Sequence, residues 1–135
     1  MRGLRVAEWE RRLKTVFDGI DHELEDVYGG QYNLHPSRAA RGKTANPEDD
    51  GLFNVGAAFS AGFGSQFGPG YVVDIRLSTL EKVPADIREK IKQEVFQKLE
   101  QRLPKTFPGK ILHVSEEHGN IRIHGDLSLD DEILN

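Results

Sequence analysis

Between Gly51 and Leu80 the chain alternates bulky apolar residues with very small ones, and this pattern limits the fold more than any other feature. With a side-chain period of two, Phe53, Val55, Ala57, Phe59, Ala61 and Phe63 fall on one face. Asn54, Gly56, Ala58, Ser60, Gly62 and Gly64 fall on the other. A turn is expected around Ser65–Gly70, where Pro69-Gly70 punctuates the chain. Tyr71, Val73, Ile75 and Leu77 then share the apolar face of a second strand, while Asp74 and Arg76 share its opposite face. Glycine weakens a strand unless another backbone comes close, so the small-residue face reads as room for a neighbour.

A helix is expected on either side of this hairpin. From Leu4 to about Tyr28, Val6, Trp9, Leu13, Val16, Phe17, Ile20, Leu24 and Val27 recur in steps of three and four. Bases precede acids along this segment, against the helix dipole, so its stability must come from packing the stripe. Gly29-Gly30 ends it. The second helix opens at Pro84, places Ile87, Ile91, Val95, Leu99 and Leu103 at a spacing of four, with Phe96 beside them, and is expected to stop at Pro104.

The last strands are expected at Ile111–Ser115 and Ile121–Asp126. With His118-Gly119 as a two-residue turn, residue 117 pairs with 120 and Val114 faces Ile123. The same register sets His113 opposite His124 and Ser115 opposite Arg122. The order α-β-β-α-β-β predicts an α+β two-layer sandwich. Its four-stranded, largely antiparallel sheet has both helices on the face of Phe53, Phe59, Ile75, Val114 and Ile123. At 135 residues this is one domain, with an irregular loop over 31–50 and a frayed acidic tail over 130–135.

Composition narrows the function classes. The absence of cysteine removes disulfides, thiolate metal sites and cysteine nucleophiles, and fits a reducing compartment. The N-terminal residues lack the apolar core of a signal peptide, and no apolar run is long enough to span a bilayer. A cytoplasmic protein with no membrane association is the expectation. The net charge of −4 disfavours nucleic acid, although Phe63, Phe67 and Tyr71 would offer stacking surfaces. Residues 84–110 carry seven Lys/Arg against four Asp/Glu, and residues 111–135 one against six. Such polarity suits docking as well as solvation.

No catalytic or cofactor motif is complete. Gly42-Lys43-Thr44 lacks the glycine a phosphate loop needs at position 37, which is Ser37. Gly62-Phe63-Gly64 with Gly68 is one residue too long for a dinucleotide fingerprint and leads into a strand where that motif needs a helix. His113 and His124, with Asp126 nearby, supply imidazole and carboxylate donors, but no further ligand is evident unless the fold delivers His22 or His35, so no metal or other cofactor is assigned. His124, Asp126, Asp74 and Arg76 would form an acid–base group if the second strand neighbours the fourth.

Two readings follow. The first is a non-enzymatic binding or adaptor module that meets a protein partner, or a second copy, through the second sheet face. That face carries Asn54, Ser60, Asp74, Arg76, Arg122, His113 and His124. The alternative is a small enzyme or anion-binding protein whose 31–50 loop folds over that face and brings Arg38, Arg41 and Lys43 to the ligand.

Overall fold

The computed structural model describes residues 2–127, with side chains from residue 6 onward. The expected tail at 130–135 lies outside the described residues. The elements run α1 (Arg2–Tyr28), β1 (Phe53–Ser60), β2 (Gly70–Leu77), α2 (Ala85–Thr106), β3 (Leu112–Glu117) and β4 (Asn120–Gly125). A single turn of 3-10 helix at Pro47–Asp49 precedes β1. This is the expected α-β-β-α-β-β sandwich, and every pairing in its sheet is antiparallel, in the order β1-β2-β4-β3.

Both helices pack on one face of the sheet because each carries a single apolar stripe. Trp9, Leu13, Phe17, Ile20, Leu24 and Tyr28 of α1 meet Ile91, Val95, Leu99 and Leu103 of α2. Beneath them lie Phe53 and Val55 of β1, Tyr71 and Val73 of β2, and Ile121 and Ile123 of β4. Fully burying a side chain of this size is worth about 1.5–3 kcal/mol, so the stripes suffice to hold two layers together. The α1 stripe ends on Tyr28 and not on Val27, which is 60% exposed. Steps of four from Ile20 through Leu24 lead to residue 28, and the Tyr28 hydroxyl then reaches the Glu94 carboxylate of α2 at 3.1 Å.

Two local outcomes differ from the sequence pattern. β1 stops at Ser60, so Phe59 is 58% exposed and Phe63 is 97% exposed on a loop. α2 runs through Pro104 to Thr106. The proline only deprives the Glu100 carbonyl of a donor in the last turn, while Phe107 closes that turn on the Leu103 carbonyl and packs against Trp9 at 4.0 Å. The β3–β4 register is the expected one, from Leu112↔Gly125 to Glu117↔Asn120. His118 and Gly119 both have positive φ, 54° and 82°, as a two-residue hairpin with the favoured twist requires.

Candidate functional site

The second sheet face is divided in two. Over β4 it is covered by the chain's own 61–69 loop, which leaves β1 at Ser60 and crosses to Glu117 at the end of β3, while His113 on β3 stays exposed. Phe67 stacks on the His124 ring with centroids 4.3 Å apart. Arg122, buried at the centre of β4, donates through Nη2 to the Ser60 hydroxyl at 3.2 Å and the Gly68 carbonyl at 3.0 Å. Glu117 accepts the Gln66 amide at 2.9 Å. Hydrogen bonds from Ser65 and Gln66 hold its carboxyl below the usual range. Two of the glycines have definite steric reasons. A Cβ on Gly62 would strike the Gly68 carbonyl group, and one on Gly70 would strike the Ile123 carbonyl oxygen.

The β1–β2 half of the same face is bare. Asn54, Gly56 and Ala58 lie beside Val72, Asp74 and Arg76, and a Cβ on Gly56 would meet nothing within 4 Å. Asp74 and Arg76 form an exposed pair with each other at 2.7 Å. β2 does neighbour β4, yet their ladder covers only residues 70–72 against 122–124, which leaves Asp74 and Arg76 beyond its end. His124 and the Asp74–Arg76 pair therefore do not form one group. Where the strands part, a cleft of about 270 Å³ opens against α2. Val73, Ile75, Ile91 and Ile121 line it, and of the predicted site residues only Asp74 joins them.

His113 and His124 do come together, with ring centroids 5.4 Å apart, and the Ser115 hydroxyl lies 2.8 Å from His124 Nε2. Burial, followed by the charges of His113 and Arg122, pushes the His124 pKa down and favours the neutral ring. Among the described residues no group of three His, Asp or Glu side chains is arranged to hold a metal ion.

The 31–50 segment lies along α1 and the outer edge of β1, away from the second sheet face. Arg38 is anchored through two of its nitrogens: Nε donates to Gly51 O at 2.9 Å, and Nη2 to the carbonyls of Glu48, Asp50 and Phe53 at 2.8–3.0 Å, while the side chain also lines an open cleft with His35 and Thr79. Arg41 binds the His22 carbonyl at 3.1 Å and the Asp26 carboxylate at 2.9 Å. Lys43 is exposed. The three cations are thus on one segment but do not converge on one point.

Beneath that segment is a group of acids that the sequence reading did not single out. Asp21, Glu25 and Asp50 are all buried, with Asp21 only 2% exposed. Glu25 accepts the Phe53 amide at 2.8 Å, and Asp50 accepts both the amide and the hydroxyl of Thr44. Asp21 Oδ2 has no hydrogen-bond partner. Burial, then the charges of Glu25 and Asp18, pushes the Asp21 carboxyl up to about 7 against the opposing pull of Arg38. The available signal was Asp21 and Glu25 four apart on α1, next to the apolar stripe of Ile20 and Leu24. Like charges at that spacing repel along a helix unless something packs over them.

Fold and surface together define a small two-layer α+β protein with half of one sheet face left open. No helix among the described residues is long and apolar enough to cross a membrane. A family model described as "Uncharacterised protein" matches residues 4–125, and the chain belongs to that family. It is 37% identical over 110 residues to an uncharacterized protein of Borreliella burgdorferi strain B31, covering 82% of this chain and 86% of the relative. No solved structure matches.

Proposed function

We propose that the chain is a non-enzymatic binding module that receives a protein partner, or a second copy of itself, on the bare β1–β2 half of its second sheet face. The observation that carries this reading is the division of that face. The chain uses its own 61–69 loop to cover β4 and leaves the strip of Asn54, Gly56, Ala58, Asp74 and Arg76 open. Small side chains let another backbone or helix approach closely, and the exposed Asp74–Arg76 pair offers both signs of charge. Phe63, 97% exposed on the covering loop, adds an aromatic anchor whose burial would contribute about 1.5–3 kcal/mol. The anion-ligand reading has less support, because Arg38 and Arg41 already have partners within the chain.

Light scattering over a concentration series, run on the wild type and on Gly56→Trp, tests the proposal. The expected result is a dimer or a stoichiometric complex with a co-purified protein, lost in Gly56→Trp at unchanged melting temperature. A wild type that stays a bare monomer throughout, or an assembly indifferent to Gly56→Trp, overturns it.

A further inference from the structure

The segment 31–50 has no regular structure apart from one 3-10 turn, yet it is seated by named polar contacts. Arg41 reaches Asp26, Lys14 reaches Asn46 and Glu48, and Thr44 reaches Asp50. Ala39 forms a short parallel bridge with Asp50, and the Gly51 amide donates to Ala39 O at 2.9 Å. At the centre, Asp21 is faced by Asp18 and Glu25 of its own helix and by Arg38 and Asp50 of the segment. Asp21 thus meets three other carboxylates and one guanidinium, and that guanidinium is hydrogen-bonded to carbonyls instead, while Asp18 is paired with Lys14. One carboxylate oxygen, Asp21 Oδ2, is buried without a donor.

We infer that this cluster is a proton-operated latch: a proton held on Asp21 keeps the 31–50 segment seated on α1, and its loss weakens the seating. A protonated Asp21 removes one of the buried like charges, while an ionised one must be accommodated without a hydrogen bond to Oδ2. Release of the segment returns the carboxyl to water, where its pKa is near the ordinary 3.8 instead of about 7. The seated state binds the proton more tightly, so the latch is strongest at the acid end. It weakens as pH rises from about 4 to about 7, then levels off once both states are ionised.

Amide hydrogen exchange between pH 5 and 8, corrected for intrinsic exchange, reads the latch directly. Protection of Thr44 and Gly51 is expected to fall nearly tenfold per pH unit up to about 7 and then flatten. Global unfolding also returns Asp21 to water, so the Val95 and Leu99 amides of α2 should share the slope at a higher absolute protection, and Asp21→Asn should abolish the slope in both. Carbon-13 titration of the Asp21 carboxyl in the wild type needs no variant and should inflect near neutrality. A flat wild-type profile, Thr44 and Gly51 protection as high as that of α2, an unchanged slope in Asp21→Asn or an inflection near 4 overturns the inference. So does restoration of protection at high pH by magnesium or calcium ions, which would make the cluster a cation site.

Discussion

Replacing Arg38 with alanine should be among the most destabilising single changes outside the apolar core. Its guanidinium presents three N–H groups, one on Nε and two on Nη2, to the carbonyls of Gly51, Glu48, Asp50 and Phe53. Three hydrogens cannot make four independent bonds, so the estimate counts donors, each charge-assisted and worth about 1.5–3 kcal/mol. The site is half-buried and water can reach some of the freed carbonyls, which favours the low end of that range. The expected loss is therefore about 3–5 kcal/mol. The ceiling is the cost of unseating the 31–50 segment as a whole, since the chain can lose those contacts together instead of leaving carbonyls dry. Arg38→Lys keeps the charge but not the planar fork, and should recover no more than about half of the loss. The assay is urea denaturation followed by fluorescence of Trp9, the single tryptophan, which is buried against Phe107. A loss for Arg38→Ala below about 1 kcal/mol would refute the argument and return Arg38 to the pool of residues free to bind a ligand.

Glycine positions should separate sharply by site. Gly62→Ala, with φ of 90° and a Cβ against the Gly68 carbonyl, should cost at least about 2 kcal/mol by denaturation. Gly56→Ala, in open space on a strand, should be neutral or gain up to about 1 kcal/mol. In the β3–β4 turn, Gly119→Ala should cost about 1 kcal/mol and His118→Asn should stabilise slightly, both read as shifts in melting temperature. The acid limb of stability should depend on Asp50. Burial alone would raise its pKa, but hydrogen bonds from Thr44 and Gly42 outweigh that and hold it below 3.8. Its contribution is present above 3.8 and is lost as pH falls through the lower folded value, so Asp50→Asn should flatten the stability profile in that range when urea midpoints are compared.

The parts of this fold that were legible in the sequence are those set by periodicity and turn chemistry. Steps of three and four placed both helices, and alternation placed both hairpins. His118-Gly119 alone determined the β3–β4 register, and with it the meeting of His113 and His124. The illegible parts depend on where long connections travel. Nothing local in AGFGSQFGPG says that it folds back over β4, because that route depends on Arg122 and Glu117, more than fifty residues further on. Likewise the Arg38, Arg41 and Lys43 series looks like an anion clamp only until α1 contributes Asp26 and the His22 carbonyl. Charge in a sequence carries no address. The same arginine serves a ligand, a carbonyl cage or solvent, depending on which element it packs beside.

The two long connections are held by the same device. Arg38 pins 31–50 by donating to backbone carbonyls beside the buried carboxylates Asp21 and Asp50. Arg122 pins 61–69 by donating to Gly68 O with Glu117 as its nearby carboxylate, 3.9 Å away. Each arginine satisfies acceptors that a loop would otherwise leave without donors, and is held in place by them. This explains why the bare strip of β1 and β2 is the more economical docking surface. A partner arriving there displaces neither pinned loop, and it disturbs no ion pair other than the exposed Asp74–Arg76 contact, worth about 0–1 kcal/mol. A ligand directed at His113, Ser115 and His124 would first have to lift Phe67 from His124 and compete with the Arg122–Gly68 bond. Sensitivity should follow the same order: Gly56→Trp should block docking without loosening either loop, whereas Arg122→Met should free the 61–69 loop and uncover His124 beside the already exposed His113.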